Sequence, residues 1–471
     1  MAKWLFALLR ILVLSGSAVA ARERPLREEP RDSPQPQPSS QRHDRFSLQS
    51  VYHAGVAGQR SIFRRLDVPS THAHDLNSSD IPTFLLSHTL RPVPQWTDHA
   101  SRARIAGPFH KRGPQDVLNV QYEGPLVPML SGSAKVMARP MPVPDHTDPD
   151  TILTLGQMAE NAYRRRDDDR WIDIDGWEPN DSFGWEEDGL RGHVFLNDDA
   201  SIIVISFKGT SANVFGIGGG PTSSNDKYND NIMFSCCCAK VTPTWHPVCE
   251  CAHFSSHTCS TTCLDVTIRY SESYYRFAQL IYEEVWLRHP RAAIWFTGHS
   301  LGGSLASLMG ITYNLPAIPF QAPGERLYAS RLGLLPTHGV EDFIASLPIY
   351  HIGNNGDPVF LGRCNGPASS CYYGGYAMES KCHLGRECIY DIGDAFLKVD
   401  PSSLDDQDRA WYEETRGEWL RSAVRPPEHK LDIRYHKMQL IMKLFLDKRF
   451  PVPECEFEPD CADCENWTMV D

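Results

Sequence analysis

The chain has 471 residues, 41% hydrophobic and 22% charged, which suits a soluble globular protein with a full core and room for one large domain or two to three ordinary ones. A net charge of −13 speaks against nucleic acid as a partner, because phosphates are bound by clustered Lys and Arg. Membranes stay open as partners, since they can be approached through apolar contacts and the chain carries 11 Trp and 20 Phe.

The first segment, MAKWLFALLRILVLSGSAVA, has a basic start at Lys3, an apolar run and a small-residue site at Ala18-Val19-Ala20. Arg10 interrupts the run, so residues 1–20 read as a signal peptide cleaved after Ala20 or as a retained type II signal anchor. Both readings send the remaining chain into the secretory lumen. Three glycosylation sequons fit that address, at Asn77, Asn180 and Asn466. Residues 21–45 are charged and proline-rich with almost nothing apolar, and they read as a disordered stalk. From 46 to about 145, short apolar patches mix with many Pro and Gly, and an irregular extension around the core is expected.

From Thr151 the pattern sharpens. TILTLGQMAENAY places Ile152, Leu155, Met158, Ala159 and Ala162 at helical spacing. SIIVISFKGT (201–210) reads as a buried strand, residues 270–288 as a helix, AAIWF (292–296) as the next strand, and residues 301 to about 313 as an apolar helix. Strands follow at 317–322 and 347–353, and a late helix at 437–447. Strands alternating with helices, each strand a continuous apolar run, predict an α/β fold: a mostly parallel sheet with helices on both faces.

The 14 cysteines fall in three groups, 236–263, 364–388 and 455–464. Their spacings do not repeat as two pairs of zinc ligands, so disulfides are expected in an oxidising compartment. Neither a metal nor a cofactor is expected. Residues 46–450 are assigned to one catalytic domain with cysteine-rich insertions, and 451–471 to a cysteine-rich tail.

The chemistry is expected at TGHSLGG. A glycine, any residue, serine, any residue and glycine arises by chance in chains of this length, but here it is preceded by a strand and followed by a helix. That order is what a nucleophile elbow needs, with Ser300 at the start of a helix whose free N–H groups favour negative charge. A serine hydroxyl also needs a base and an orienting carboxylate. Asp357, in NNGDPV after the strand 347–353, is the preferred acid over Asp342, Asp391 and Asp394. His436 is preferred as base over His429, while His383, in a cysteine-rich loop, is given a structural or surface role. Oxyanion donors are expected at the N–H of Leu301 and at Thr210, which ends FKGT. The following ANVFGIGGGPTSS reads as a mobile lid or a plain linker.

FKGT, TGHSLGG and NNGDPV followed by a late His, in that order, resemble the class 3, fungal-type lipases. The segments KYNDNIMFSCCCAKV, CSTTCLD, QAPGERL, GYAMESKCHLG and PVPECEFEPDCADCENW are similar to the autophagy branch of that family. The resemblance implies an α/β-hydrolase fold with Ser300 as nucleophile, Asp357 as orienting acid and His436 as base. It further implies hydrolysis of membrane phospholipids and triacylglycerols in the endosome and vacuole by a single-pass type II membrane protein. The segment between Asp357 and His436 is long for the family and reads as an insertion. Hydrolysis of soluble esters, or an inactive membrane-binding adaptor, are the competing readings. The sequence leaves the oligomeric state open.

Overall fold

The computed structural model describes residues 42–57, 60–67, 84–96, 136–163, 189–197, 199–211, 222–240, 246–253, 257–270, 273–421 and 431–471. The signal segment, the stalk up to residue 41, most of the expected lid, the sequons at Asn77 and Asn180, and His429 lie outside these residues.

The strands β1 (Arg42–Ala57), β2 (Arg60–Asp67), β3 (Phe84–Trp96) and β4 (Val136–Pro144) precede helix α1 (Pro149–Asn161). Then come β5 (Leu190–Asn197), β6 (Ile202–Phe207), α2 (Ser223–Phe234), the short β7 (Ala252–His253) and β8 (Thr258–Ser260), α3 (Thr261–Tyr270) and α4 (Tyr274–Arg288). The C-terminal half runs through β9 (Ala293–His299), α5 (Leu301–Tyr313), β10 (Ala317–Phe320), α6 (Arg326–Arg331), α7 (Val340–Ser346), β11 (Tyr350–Asn354) and α8 (Ser370–Gly374). It ends with β12 (Arg386–Tyr390), α9 (Ile392–Lys398), α10 (Asp406–Arg421), α11 (Met438–Ile441), β13 (Cys455–Glu456) and β14 (Thr468–Val470).

One 11-stranded sheet has the order β13-β12-β11-β10-β9-β6-β5-β1-β3-β4, with β2 paired to β1. Its centre is parallel, from β6 through β9, β10 and β11 to β12. Both flanks are antiparallel. The continuous apolar runs of the central strands are explained by burial on two faces. Ile203, Ile205 and Phe207 of β6, with Ile294 and Phe296 of β9, join the cluster under α4 and α5. Their neighbours Ile202, Val204, Ala293 and Trp295 join the opposite cluster, with Ile152, Leu155 and Met158 of α1 and Leu440, Leu444 and Phe445 near the C-terminus. Asp148 caps α1 by accepting from the Asp150 and Thr151 amides, and Pro149 opens the helix where no N–H is needed.

Two regions need revision. The region 46–145, read as an irregular extension, contributes four strands to the antiparallel flank, and the first begins at Arg42, inside the expected stalk. Sheet pairing supplies the order that local periodicity did not announce. The late helix 437–447 is a short α11 that widens into a π-turn at Met442–Leu446. The long segment between Asp357 and His436 carries α8, β12, α9 and α10.

All 14 cysteines are paired. Cys237–Cys259, Cys238–Cys249 and Cys251–Cys263 lock the segment after α2 onto itself, and Cys364–Cys371 closes a small loop. Cys236–Cys464, Cys382–Cys461 and Cys388–Cys455 fasten the terminal segment to the body. The segment 451–471 is therefore stapled to the domain at three points, with β13 paired to β12. Among the described residues no helix is long and apolar enough to cross a membrane.

Candidate active site

Ser300 sits between β9 and α5 with φ +58° and ψ −129°, a conformation non-glycine residues rarely adopt. Its N–H is held by the Phe320 carbonyl (3.0 Å), and its own carbonyl accepts the first helical bond, from Ser304 (3.0 Å). The flanking glycines permit this turn for a steric reason. A Cβ on Gly298 would stand 2.5 Å from the Gly302 oxygen, and one on Gly302 would stand 2.2 Å from the Phe207 oxygen. Chain crossing at this distance excludes any side chain, so the turn is the strained strand-to-helix elbow the sequence suggested.

Asp357 lies just past the C-terminal end of β11 and is fully buried. Its Oδ1 accepts the Val359 N–H (2.8 Å), leaving Oδ2 directed at His436. His436 ends a 3₁₀ turn, Ile433–His436. Its Nδ1 lies 2.8 Å from Asp357 Oδ2 and its Nε2 lies 2.9 Å from Ser300 Oγ. The three side chains preferred from sequence thus form one hydrogen-bonded line. The buried carboxylate fixes the tautomer in which Nδ1 carries the proton and Nε2 accepts from the serine. The imidazole is 17% exposed, enough to face a substrate while its partners stay inside.

The competing acids are elsewhere. Asp342 is in the first turn of α7, Asp391 caps α9, and Asp394 pairs with Lys398. His383 is buried away from the serine, and its Nε2–H donates to the Ala322 carbonyl.

Several residues that the sequence reading passed over hold the histidine arm. Gln321 Nε2 donates to the Tyr435 carbonyl, and Asn354 Nδ2 donates to the same oxygen at 3.1 Å. His299, inside the elbow motif, lies with Nε2 2.9 Å from the His436 carbonyl. Burial, reinforced by repulsion from His436, pushes the His299 pKa down to about 3. The ring is therefore neutral, with Nε2–H donating to His436 and Nδ1 accepting from the Tyr163 hydroxyl at 2.9 Å. Gln321, Asn354 and His299 all sit at or beside the ends of the parallel strands, where the first two were visible in QAPGERL and NNGDPV without an evident role.

Thr210 follows β6, and its hydroxyl donates to Asp230 Oδ2 on α2 at 2.6 Å. Burial pushes Asp230 up to about 8, the Thr210 bond opposing that rise. Nearby, Lys208 and Asp226 form a buried ion pair at 3.3 Å, and Asp226 also accepts from the Ser211 N–H (2.8 Å) and the Tyr274 hydroxyl (2.8 Å). These bonds fix the 208–211 turn against α2 and α4. Leu301 opens α5, where first-turn amides have no acceptor within the helix. Thr210 and Leu301 are thus both at chain turns beside the serine, while Asn466 is exposed just before β14.

Parallel strands covered by helices, with a serine on a strand-to-helix elbow, define an α/β-hydrolase fold. Residues 241–316 match the model of the class 3 lipases. A protein of Mycosarcoma maydis that carries the name lipase ATG15 is 35% identical over 90% of this chain and 85% of its own. Its namesake in Eremothecium gossypii is 34% identical over 90% of this chain and 76% of its own. That of Vanderwaltozyma polyspora is 41% identical over 70% of this chain, and the match spans 53% of that relative's length. The chain belongs to the class 3 lipase family, in the group of proteins named ATG15. Among solved structures, Lip2 lipase of Yarrowia lipolytica overlaps 50% of this chain and 77% of its own at 15% identity, with a TM-score of 0.27. That overlap is too small to carry weight beside the elbow geometry.

Proposed function

We propose that the chain is a serine hydrolase that cleaves carboxylic ester bonds of membrane phospholipids and triacylglycerols. The observation that carries the reading is the line from Ser300 Oγ through His436 to buried Asp357, at 2.9 and 2.8 Å, mounted on a strained elbow. His436 Nε2 takes the proton as Ser300 Oγ attacks the ester carbonyl, and Asp357 holds the imidazolium that forms. The N–H groups of Leu301 and Thr210 receive the developing oxyanion, aided by the positive end of α5. Collapse releases the alcohol, protonated by His436, and leaves an acyl group on Ser300. Water, activated by the same histidine, then frees the fatty acid.

Kinship with proteins named lipases supports a lipid ester over a soluble one. Seven disulfides support an oxidising compartment, as does the apolar N-terminal segment. The proposed setting is therefore the lumenal side of endosomal or vacuolar membranes, reached through the secretory pathway, with glycans at Asn77, Asn180 and Asn466.

The test compares the full chain with Ser300→Ala on phospholipid vesicles, a triacylglycerol emulsion and a soluble short-chain ester. Fatty acid release from vesicles and emulsion by the wild type, and by neither in the variant, is expected. Hydrolysis of the soluble ester alone would reject the lipid assignment, and undiminished release by Ser300→Ala would reject the nucleophile.

A further inference from the structure

A second histidine–carboxylate group lies under the elbow helix and takes no part in the chemistry above. Glu325 precedes α6 and His351 lies in β11, both with no exposed surface; His383 approaches β12 and is 6% exposed. Glu387, in β12, is the direct register partner of His351 on the neighbouring parallel strand. One ligand-capable atom from each of Glu325, His351 and His383 falls within 4.8 Å of the others. Glu387 Oε1 stands 3.1 Å from His383 Nδ1, which brings a second carboxylate to the same place.

The hydrogen-bond pattern shows which atoms are already committed. Glu325 Oε1 accepts from Ser307 Oγ (2.5 Å) and the Leu384 N–H (3.0 Å), while Glu325 Oε2 has no partner. His383 Nε2 lies 2.9 Å from the Ala322 carbonyl and must donate to it, which leaves Nδ1 as the ring's other face. His351 is wholly buried and its Nδ1 has no hydrogen-bond partner. Its Nε2 is 3.2 Å from Glu325 Oε1, and His383 Nδ1 is 3.1 Å from Glu387 Oε1, so each imidazole faces a carboxylate. Glu325 Oε2 and His351 Nδ1 stay buried without a partner, which is costly unless something else satisfies them.

Two protons on the imidazoles would balance the two carboxylates as ion pairs across the contacts of 3.2 and 3.1 Å. A divalent cation balances the same two carboxylates with both imidazoles neutral and needs convergent lone pairs instead. The Ala322 carbonyl bond to His383 is the kind of outer contact that orients a ligating imidazole and fixes its tautomer. Two imidazoles and two carboxylates are the donor set of a tetrahedral zinc site, whose ligand atoms stand about 3.4 Å apart at bonds of about 2.1 Å. Small rotamer shifts bring atoms within 4.8 Å to that spacing. The seven disulfides occupy every cysteine, so no thiolate competes for the ion.

We propose that Glu325, His351, His383 and Glu387 form a structural Zn²⁺ site that ties the start of α6, β11 and β12 together beneath the active-site elbow. Its ligands are spread from residue 325 to 387, so no short spacing motif marks it in the sequence.

The test uses the full chain without a polyhistidine tag. Purified protein is exposed to Zn²⁺, desalted, and its metal content measured, with Co²⁺ loading as a spectroscopic check. The wild type is expected to retain one equivalent of Zn²⁺, to melt at a higher temperature with it than after chelation, and to show the intense visible bands of four-coordinate Co²⁺. His351→Gln is expected to lose the metal and the bands, while a control at an exposed histidine, His253→Ala, keeps both. A folded wild type that retains no Zn²⁺ and gives no Co²⁺ bands would leave only an ion-pair network and overturn the site. Equal retention by His351→Gln would overturn it too. If that variant does not fold, the wild-type metal content and Co²⁺ spectrum decide the matter alone.

Discussion

The serine and the histidine of the site are held by different kinds of force. Ser300 and Asp357 stand at the ends of the parallel strands β9 and β11, which flank β10, fixed by backbone bonds and by sterics that leave no room at Gly298 and Gly302. His436 stands at the end of a 3₁₀ turn from a distant part of the chain, and what holds it is a set of side-chain bonds onto main-chain oxygens at 435 and 436. Backbone sterics give rigid positions that tolerate almost no substitution. Polar clamps give a position that loosens by degrees, because each bond contributes only about 0.5–1.5 kcal/mol net.

The contrast can be broken most severely at the carboxylate. Asp357→Asn preserves shape but offers a donor to His436 Nδ1, so the ring loses its proper tautomer. A fall in kcat of about 10⁴-fold is expected, with the folding midpoint changed little by comparison. An active Asp357→Asn enzyme would mean that another acid serves. Next in size is Gly302→Ala, whose Cβ meets the Phe207 carbonyl at 2.2 Å. A loss of about 3 kcal/mol in stability or more is expected by urea titration, and unchanged stability would contradict the crossing geometry.

The histidine arm should respond more gently. Gln321→Leu removes the donor to Tyr435 O while Asn354 still holds that oxygen, so kcat should fall about 10-fold on the same ester with KM nearly constant. A change in KM alone would assign Gln321 to substrate binding instead.

The smallest effect concerns Asp230. Its pKa, pushed up to about 8 by burial, exceeds that of the unfolded chain, so the folded state keeps a proton the unfolded state releases between about pH 4 and pH 8. Stability from this group therefore falls as pH rises through that window. Asp230→Asn should gain on the wild type between pH 5 and pH 8 by on the order of 1–2 kcal/mol in urea melts, and parallel pH profiles would contradict the burial effect.

The same contrast explains what was legible in the sequence. TGHSLGG between a strand and a helix announces its serine because backbone crossing demands glycine, and that demand is local. NNGDPV announces Asp357 because acids collect at the ends of parallel strands. The order of β6, β9, α5 and β10 followed from apolar runs for the same reason. The four strands before α1 were not legible, since their order comes from pairing with β5 and with one another across long stretches of chain. Nor were the clamps at Gln321, Asn354, His299 and Tyr163, whose partners are main-chain oxygens or a ring more than 20 residues away in sequence. Polar side chains give no period and no composition signal, so only the folded chain shows what they hold.

The most direct measurement is covalent. The full chain, His436→Ala and His429→Ala are each treated with a fluorophosphonate ester, and the modified residue is located by peptide mass spectrometry with its rate of formation. Rapid modification of Ser300 in the wild type and in His429→Ala, with loss of that reactivity in His436→Ala, is the expected result. Modification of another residue, or equal reactivity of Ser300 in His436→Ala, would contradict the triad of Ser300, His436 and Asp357.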